Sequence, residues 1–356
     1  MSAPLTKKDV EIGIGICGAG MVARYHAQAI AATPGARLVA VSRFDASKAD
    51  ASAAEFGVPC ETSDEALLAR PDVDAVCICT PSGQHARETI AAARAGKHVL
   101  VEKPMALSLA DADAMIEACR SAGVTLAVAL QRRTEPAYQL VHQAIEAGHF
   151  GRPVLGMAVI PYFRSKAYYD SAVWRGTWKE DGGGALMNQG IHIADLLAWF
   201  MGDVEEVLAR AATLTHEIEV EDDVVATVRF KSGALGSIVA TTAAAPGFPH
   251  RVEVYGSRGG VQLEAELITR WEGESLPAID PSLRAGSGPA AAGAGGSPTG
   301  IAVTGHARIL ADFVAAIRER RAPLVTGEES RRSLALVLAV YESARSGRAV
   351  RVTGVT

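Results

Sequence analysis

The sequence predicts a chain in two parts: an α/β half built on a doubly wound parallel sheet, then an α+β half built on a mainly antiparallel sheet. Three observations predict it. Short apolar runs rich in Val and Ile alternate with Ala-rich helical stretches as far as residue 129. Beyond residue 150, strand-like runs follow one another with turn residues between them, and a single helical stretch over 190–201 interrupts that series. Strands alternating with helices of roughly 10 to 15 residues require right-handed crossovers and a sheet covered on both faces. Strands in direct succession pair with their neighbours instead.

In order, the first half offers strands over residues 11–17, 37–42, 75–80, 98–101 and 125–129, with helices over 22–32, 46–56 and 109–121. A further helix spans 136–147. The second half offers strands over 154–161, 204–215, 222–230, 234–242 and 250–255, with hairpin turns at Lys231-Ser232-Gly233 and Gly256-Ser257-Arg258-Gly259. Residues 282–300 are Gly, Ala, Ser and Pro with almost nothing to bury, which predicts a mobile loop. Helices over 306–320 and 329–346 close the chain. The expected domains are 1–130 and 131–356, with the closing helices free to pack back on the first.

The chain has 356 residues, 49% hydrophobic but only 5% aromatic, so its core is made mainly of Ala, Val, Leu and Ile. That length suits two domains and excludes a disordered chain or a mini-protein scaffold. Lys and Arg number 35 against 40 Asp and Glu, a net charge of -5, so no nucleic-acid or anionic-membrane footprint is expected. Cys17, Cys60, Cys77, Cys79 and Cys119 lack metal-ligand spacing and read as small core hydrophobes of a reducing compartment. Residues 1–10 contain no apolar targeting segment, and no run of about 18 uncharged apolar residues occurs anywhere. A cytoplasmic protein is expected.

The first strand runs into Gly18-Ala19-Gly20-Met21-Val22-Ala23, a Gly-x-Gly-x-x-Ala turn that opens a helix. Gly18 permits the tight turn, Gly20 lets a pyrophosphate approach the backbone, and the helix N-terminus at Met21 and Val22 faces the phosphates. An overlapping register from Gly13 would bury its first glycines inside the strand. The second strand ends at Ser42-Arg43, where a site preferring NAD usually has an acidic residue against the ribose 2′-hydroxyl. A hydroxyl beside a guanidinium suits a 2′-phosphate, so NADP is favoured over NAD. The competing reading has Arg43 in solvent and Asp45 reaching the ribose.

Two later strands end at Thr80-Pro81-Ser82-Gly83-Gln84-His85 and at Glu102-Lys103-Pro104. Ligands of an open α/β sheet bind beyond the carboxyl ends of its strands, so both segments point to the crevice of the glycine turn. A lysine partly desolvated there has a lowered pKa, useful for proton transfer. In the second half, Gly182 begins a glycine-rich block that runs through Asn188, Gln189 and His192 to Asp195. Asn188 and His192 are four apart and share a face if the segment is α-helical.

These blocks, with His26 after the glycine turn and Ala95-Gly96-Lys97-His98 before Glu102, resemble the glucose-fructose oxidoreductase, inositol dehydrogenase and rhizopine catabolism (Gfo/Idh/MocA) family of NAD(P)-dependent oxidoreductases. The resemblance covers residues 12–352. It implies a Rossmann domain followed by a large open sheet whose exposed face forms a homodimer or homotetramer interface. It implies reversible hydride transfer between nicotinamide and a secondary alcohol or ketone of a sugar, sugar derivative or cyclitol. By position, Lys103 matches the family's catalytic lysine and His192 the histidine that serves as general base or orients the hydroxyl. Asn188 stands where inositol dehydrogenase-like members have an aspartate, which deprives His192 of an anionic neighbour. Thr80, Pro81, His85 and Glu102 fall with the cofactor residues.

The chain holds 4 Trp, 7 Tyr and 8 Phe, and six of these rings (Tyr162, Phe163, Tyr168, Tyr169, Trp174, Trp178) lie within residues 162–178. The resemblance places this stretch along the substrate cleft, with Trp174 and Arg175 near both cofactor and substrate. Aromatic faces suit the C–H faces of a sugar ring, while Arg164 and Arg175 suit hydroxyls or an anionic group. Tyr162, Arg164, Tyr168, Gln189 and Asp195 complete the expected substrate set. Gln131, Arg132 and Arg133 are open to either cleft or surface. His142, His149, His216, His250 and His306 have no ligand spacing and are expected to be solvated or capped, with no metal. The alternatives are a redox-cycling lyase or epimerase-like enzyme with tightly held cofactor, and a non-catalytic NAD(P) sensor.

Overall fold

The computed structural model describes residues 11–285 and 303–354. Of the glycine-rich stretch expected as a loop, 286–300 lies outside the described residues, and Pro281–Leu283 form a short 3-10 turn. In chain order the elements are β1 (Ile12–Cys17), α1 (Met21–Ala32), β2 (Ala36–Ser42), α2 (Ala49–Phe56), β3 (Cys60–Glu61), α3 (Asp64–Leu68), β4 (Ala75–Ile78), α4 (His85–Arg94), β5 (His98–Val101), α5 (Leu109–Ala122) and β6 (Leu126–Val128). There follow α6 (Pro136–Glu146), β7 (Pro153–Pro161), α7 (Lys166–Asp170), α8 (Ile191–Met201), β8 (Val204–Ala212), β9 (Asp223–Phe230) and β10 (Leu235–Thr241). The chain ends with β11 (Arg251–Gly256), β12 (Gly259–Glu264), β13 (Leu267–Gly273), α9 (Val303–Glu319), α10 (Gly327–Ser346) and β14 (Val350–Arg351).

Two compact units emerge, Met1–Gln131 with Ala302–Arg331, and Arg132–Ile301 with Arg332–Thr356. The first is a six-stranded sheet in the order β3-β2-β1-β4-β5-β6, parallel throughout. All six residues of β1 and all four of β4 are buried, as strands covered on both faces must be. Ser63 and Ser108 accept N–H bonds from Ala66 and Asp111, so hydroxyl caps start α3 and α5. Within this unit α9 packs against α1 and β5.

The second unit holds an eight-stranded sheet in the order β13-β12-β11-β7-β10-β9-β8-β14. Every pair is antiparallel except β10 with β7. Strand β9 alternates strictly, with Val224, Ala226, Val228 and Phe230 buried and Val225, Thr227 and Arg229 exposed. The almost wholly apolar α8 packs on β7 and β11 and covers the inner face. Inside this unit Arg133 makes a bidentate pair with Asp195 of α8, at 2.7 and 2.8 Å, and Ser333 of α10 donates to the same carboxylate. Arg132, the other candidate surface cation, is likewise paired with Glu266.

Four strands escape the sequence pattern. Strands β3 and β14 are two residues long, and β12 and β13 interleave glycines and charges with few apolar positions. The run expected to reach residue 215 stops at Ala212, because the backbone N–H groups of Leu214, Thr215 and His216 turn to the Asp222 carboxylate. Among the described residues no helix is long and apolar enough to cross a membrane.

Candidate active site

Strands β1, β4 and β5 run side by side and end level, with Cys17 beside Ile78 and Ile78 beside Val101. The residues that follow them, Gly18, Cys79-Thr80 and Glu102-Lys103, therefore share one carboxyl edge. Strand order reverses between β1 and β4, the place where open α/β sheets bind ligands.

Gly18 has φ +87°, and a Cβ there would approach Thr80 Cγ2 at 2.9 Å and the Cys79 carbonyl at 3.1 Å. Only glycine satisfies both the left-handed backbone and the close approach. Gly20 differs: it is exposed, with nothing within 4 Å of a would-be Cβ. It caps α1 without any side-chain bond, and the first turn of α1 carries no acidic residue. The orphan N–H groups at Met21 and Val22 and the positive helix end thus remain for an anion, an arrangement that fits a pyrophosphate. Gly13 and Gly15 lie inside β1, so the turn uses the later register.

Beneath the turn, Ser42 Oγ accepts the Gly18 N–H at 3.3 Å and donates to the Asp64 carboxylate. Ser42 is buried, so it braces the turn from inside instead of facing a ligand. Thr80 donates to Glu88, whose carboxyl burial pushes up to about 8, with the Asp64 charge adding to the effect. Neither acid was among the expected site residues. The one signal for Glu88 was a charge beside Thr89 and Ala92 on the buried face of an Ala-rich helix. Arg43 Nη1 donates to the Ala19 carbonyl at 3.2 Å and to Ser52 Oγ at 3.1 Å, which sets the guanidinium beside the glycine turn. Asp45 caps the following turn through Ser47 and pairs with Lys48.

His85 and Glu102 face inward. The His85 ring sits between the Pro104 carbonyl, 2.8 Å from Nδ1, and the Thr80 carbonyl, 3.0 Å from Nε2, joining the loops after β4 and β5. Burial pulls its pKa down, against the pull of those carbonyls. Glu102 accepts a hydrogen bond from His26 Nε2 at 2.7 Å and from the backbone N–H of Lys103 at 3.2 Å. Lys103 itself is half-buried at the sheet edge.

In the second unit, the glycine block leads into a π-helical turn, Ala185–Gly190, which runs on into α8. A Cβ on Gly184 would lie 1.9 Å from the Glu221 carbonyl oxygen. The Glu221 carboxylate accepts the N–H groups of Gly184 and Leu186, each at 2.9 Å, and the Tyr341 hydroxyl at 2.8 Å. A buried carboxylate therefore caps this start. The turn bonds i to i+5, so the α-helical face expected to unite Asn188 with His192 is not the local geometry. Asn188 instead donates to the Asp181 carboxylate, which also accepts the Gly176 N–H at 2.9 Å. A carboxylate thus stands beside the position where the family's aspartate was missing, supplied from seven residues upstream.

The aromatic stretch forms one bonded patch. Arg164 donates through Nε and Nη2 to Gln189 Oε1 at 3.1 and 2.6 Å, and its guanidinium lies 5.6 Å from the Tyr168 ring. Gln189 Nε2 and Arg175 Nη1 both donate to the Tyr168 hydroxyl, at 2.8 and 2.7 Å. The Arg175 guanidinium also stacks 4.4 Å from the Tyr168 ring and 4.5 Å from Trp174. Arg175 makes no ion pair among the described residues.

Arg164, Tyr168, Trp174, Arg175, Gln189 and Asn188 are thus brought together, but Tyr162 and Asp195 are not. Tyr162 is buried with its hydroxyl 2.9 Å from His250 Nδ1, and Asp195 is turned to Arg133. His192 lies half-buried in the first turn of α8. His250, expected to be solvated or capped, is wholly buried between the hydroxyls of Tyr138 and Tyr162. Burial, then the charges of Arg132 and His192, hold its pKa well below the ordinary imidazole value. His216 is half-buried and bonded to Asp222, and His306 is buried beside His26 and Glu102. Linear spacing could not show these partners.

A parallel sheet of order 3-2-1-4-5-6, an open glycine turn and a lysine on the same carboxyl edge define a nicotinamide-dinucleotide-dependent oxidoreductase with a second, sheet-based domain. Residues 12–130 match the oxidoreductase family with NAD-binding Rossmann fold (GFO_IDH_MocA), and residues 138–262 match the GFO/IDH/MocA C-terminal domain. The chain belongs to the Gfo/Idh/MocA family. It is 33% identical to the 1,5-anhydro-D-fructose reductase of Ensifer adhaerens over 95% of this chain and 98% of that protein. It is 34% identical to the myo-inositol 2-dehydrogenase of Thermotoga maritima over 70% of this chain and 74% of that protein. Its fold is similar to the WlbA dehydrogenase from Bordetella pertussis, solved in complex with NADH and UDP-GlcNAcA, with TM-score 0.89 and 35% identity over 99% of this chain and 100% of that one.

Proposed function

We propose that the chain transfers a hydride reversibly between a nicotinamide dinucleotide and a secondary alcohol or ketone of a sugar, sugar derivative or cyclitol. The chain is a sugar or polyol oxidoreductase. The observation that carries the assignment is the shared carboxyl edge, where an uncapped glycine turn follows β1 and Lys103 follows β5. The dinucleotide, when bound, supplies the hydride acceptor or donor. Gly18, Gly20, Met21 and Val22 would hold its pyrophosphate, with Thr80 and Pro81 along the same edge. Lys103 hydrogen-bonds the reacting oxygen and carries its proton. His192 orients that hydroxyl or accepts from it, and Asn188, braced by Asp181, binds a neighbouring hydroxyl.

Trp174 and Tyr168 offer ring faces to the C–H face of a sugar, and Gln189 and Arg175 offer polar groups at its rim, while the buried Arg164 holds Gln189 in place. Arg175, stacked but without a carboxylate partner among the described residues, favours a substrate bearing an anionic group. The relative solved with UDP-GlcNAcA supports that choice, since its ligand carries acidic groups. Of the two dinucleotides, the residues favour NADP. Arg43 leaves Nε and Nη2 unbonded among the described residues, and Asp45 is occupied by Ser47 and Lys48. We further infer that the outer face of the second sheet binds a second copy of the chain, as a dimer or tetramer. Five free thiols, three of them buried, fit the reducing cytoplasm.

The test is a panel of sugars, uronates, cyclitols and nucleotide sugars with both dinucleotides, run with wild type and Lys103→Ala. On the accepted substrate the variant should lose about 100-fold or more in kcat while dinucleotide affinity stays within about threefold. Wild-type turnover in the variant would sink the assignment.

A further inference from the structure

We propose that His306 and His26 act on Lys103 through the Glu102 carboxylate, as positioning residues that fix the lysine for proton transfer. The proposal rests on the role assigned to Lys103 above. Glu102 is 7% exposed, and its two oxygens divide the work. Oε1 accepts from His26 Nε2 at 2.7 Å and lies 3.6 Å from His306 Nε2, while Oε2 accepts the Lys103 backbone N–H at 3.2 Å. His26 belongs to α1, whose N-terminus is the candidate pyrophosphate site, and His306 to α9. The two rings meet edge to face at 5.3 Å, and the His306 ring stacks on Tyr25 at 5.6 Å. One carboxylate thus ties the dinucleotide helix, the lysine loop and a segment about 200 residues further along the chain, all within the first unit.

The protonation pattern follows from the second nitrogens. Among the described residues, Nδ1 of His26 and Nδ1 of His306 are both buried without a partner. A protonated ring would bury an N–H with no acceptor, whereas a neutral ring leaves only a lone pair there. His26, whose pKa burial lowers, is therefore neutral with its hydrogen on Nε2, directed at Glu102. Burial works against the carboxylate, yet these bonds hold its carboxyl well below the ordinary range. The Glu102 carboxylate thus sets a negative charge directly behind the lysine backbone.

Two histidines and a glutamate with ligand atoms within 4.8 Å also have the composition of a zinc site. The geometry argues otherwise. Ligands of a tetrahedral zinc, with bonds of about 2.0 to 2.1 Å, stand roughly 3.3 Å apart, and His26 Nε2 is closer than that to Glu102. Metal-bound histidines also pass their other N–H to an acceptor, and among the described residues neither ring has one.

The groups facing Glu102 are His26 from α1, His306 from α9, His85 from α4, Lys103, and the thiols of Cys77 and Cys79. Loss of one imidazole donor makes the carboxyl easier to protonate, so the acid limb of the kcat profile moves to higher pH. In the full-length enzyme, His306→Leu should cut kcat about 10- to 100-fold with KM for the dinucleotide within about threefold, and raise the acid limb by about one pH unit. His306→Gln keeps an N–H donor and should recover most of kcat. Glu102→Gln keeps an acceptor for one imidazole but loses the charge, and should match the leucine variant in kcat should that variant fail to fold. Wild-type kcat and pH profile in His306→Leu or Glu102→Gln would overturn the proposal, as would stoichiometric zinc in purified enzyme that His306→Leu abolishes. Lys103→Ala run alongside separates the two failures: if it retains turnover, the assigned function fails; if it is dead while the others are normal, only the positioning role fails.

Discussion

Arg43 is held at one corner of its guanidinium, by the Ala19 carbonyl and the Ser52 hydroxyl, and offers its other two nitrogens. A planar fork of this kind recognises phosphate bidentately, which a ribose hydroxyl does not require. Arg43→Ala should therefore raise the Kd for NADP at least about tenfold, a loss of roughly 1.4 kcal/mol, and leave Kd for NAD within about twofold. Equal effects on both dinucleotides, measured by titration, would refute the role of Arg43 at a 2′-phosphate. Single residues were the scale least legible along the chain. Trp174, Arg175, Arg164 and Gln189 stand in the patch where the aromatic stretch and the glycine block pointed. Tyr162, from the same stretch, and Asp195, from the same block, are buried against His250 and Arg133. Which way a side chain turns depends on partners remote in sequence, and nothing in local composition distinguishes Tyr162 from Tyr168.

At the scale of the element, the glycine turn is more than its three residues. Ser42 from β2, Asp64 from α3, Thr80 after β4 and Glu88 from α4 form a hydrogen-bonded chain beneath it. Glu88 keeps its proton to about pH 8 in the fold but releases it near 4.5 once unfolded. The folded protein holds the extra proton between those values, so this contribution to stability is complete below 4.5 and falls away as pH rises toward 8. Glu88→Gln is permanently neutral and should flatten that loss. Wild-type Tm should drop more steeply than that of the variant between pH 5 and pH 8, and parallel curves would refute the shifted carboxyl. The turn itself was readable, because a Gly-x-Gly-x-x-Ala after a buried strand has one conformational use. Its support was not, because Ser42, Asp64 and Glu88 meet only when three crossovers have closed. The π-helical turn at Ala185–Gly190 was hidden for a related reason: the glycines before it allow the Glu221 backbone to approach, and Glu221 lies on another segment.

At the scale of the whole molecule, one face of the second sheet exposes apolar side chains among the described residues. Leu155 of β7, Leu208 of β8, Val225 of β9 and Leu235 of β10 are exposed, with β8 to β10 in antiparallel register beside β7. Exposed apolar side chains gathered on one face of a sheet mark an association surface. Val225→Glu combined with Leu235→Lys should weaken self-association about 100-fold and shift the enzyme toward monomer in analytical ultracentrifugation. A wild-type enzyme that sediments as a monomer at micromolar concentration would remove this surface from the account. Architecture was the most legible level. The alternation of strands with Ala-rich helices, and later of strands with turns, follows the periods of 3.6 and 2 that burial imposes, and these survive without knowledge of any contact. The glycine turn, the Glu102-Lys103 step and the order of the two sheets were open to the same reading, since each depends on neighbours in the chain. The tertiary structure decided which acids, histidines and aromatics face inward: Asp181 beside Asn188, Glu88 beside Asp64, and His306 beside His26 and Glu102. Those choices rest on desolvation and hydrogen bonding between segments up to about 200 residues apart, and such energies come into existence only when the segments meet.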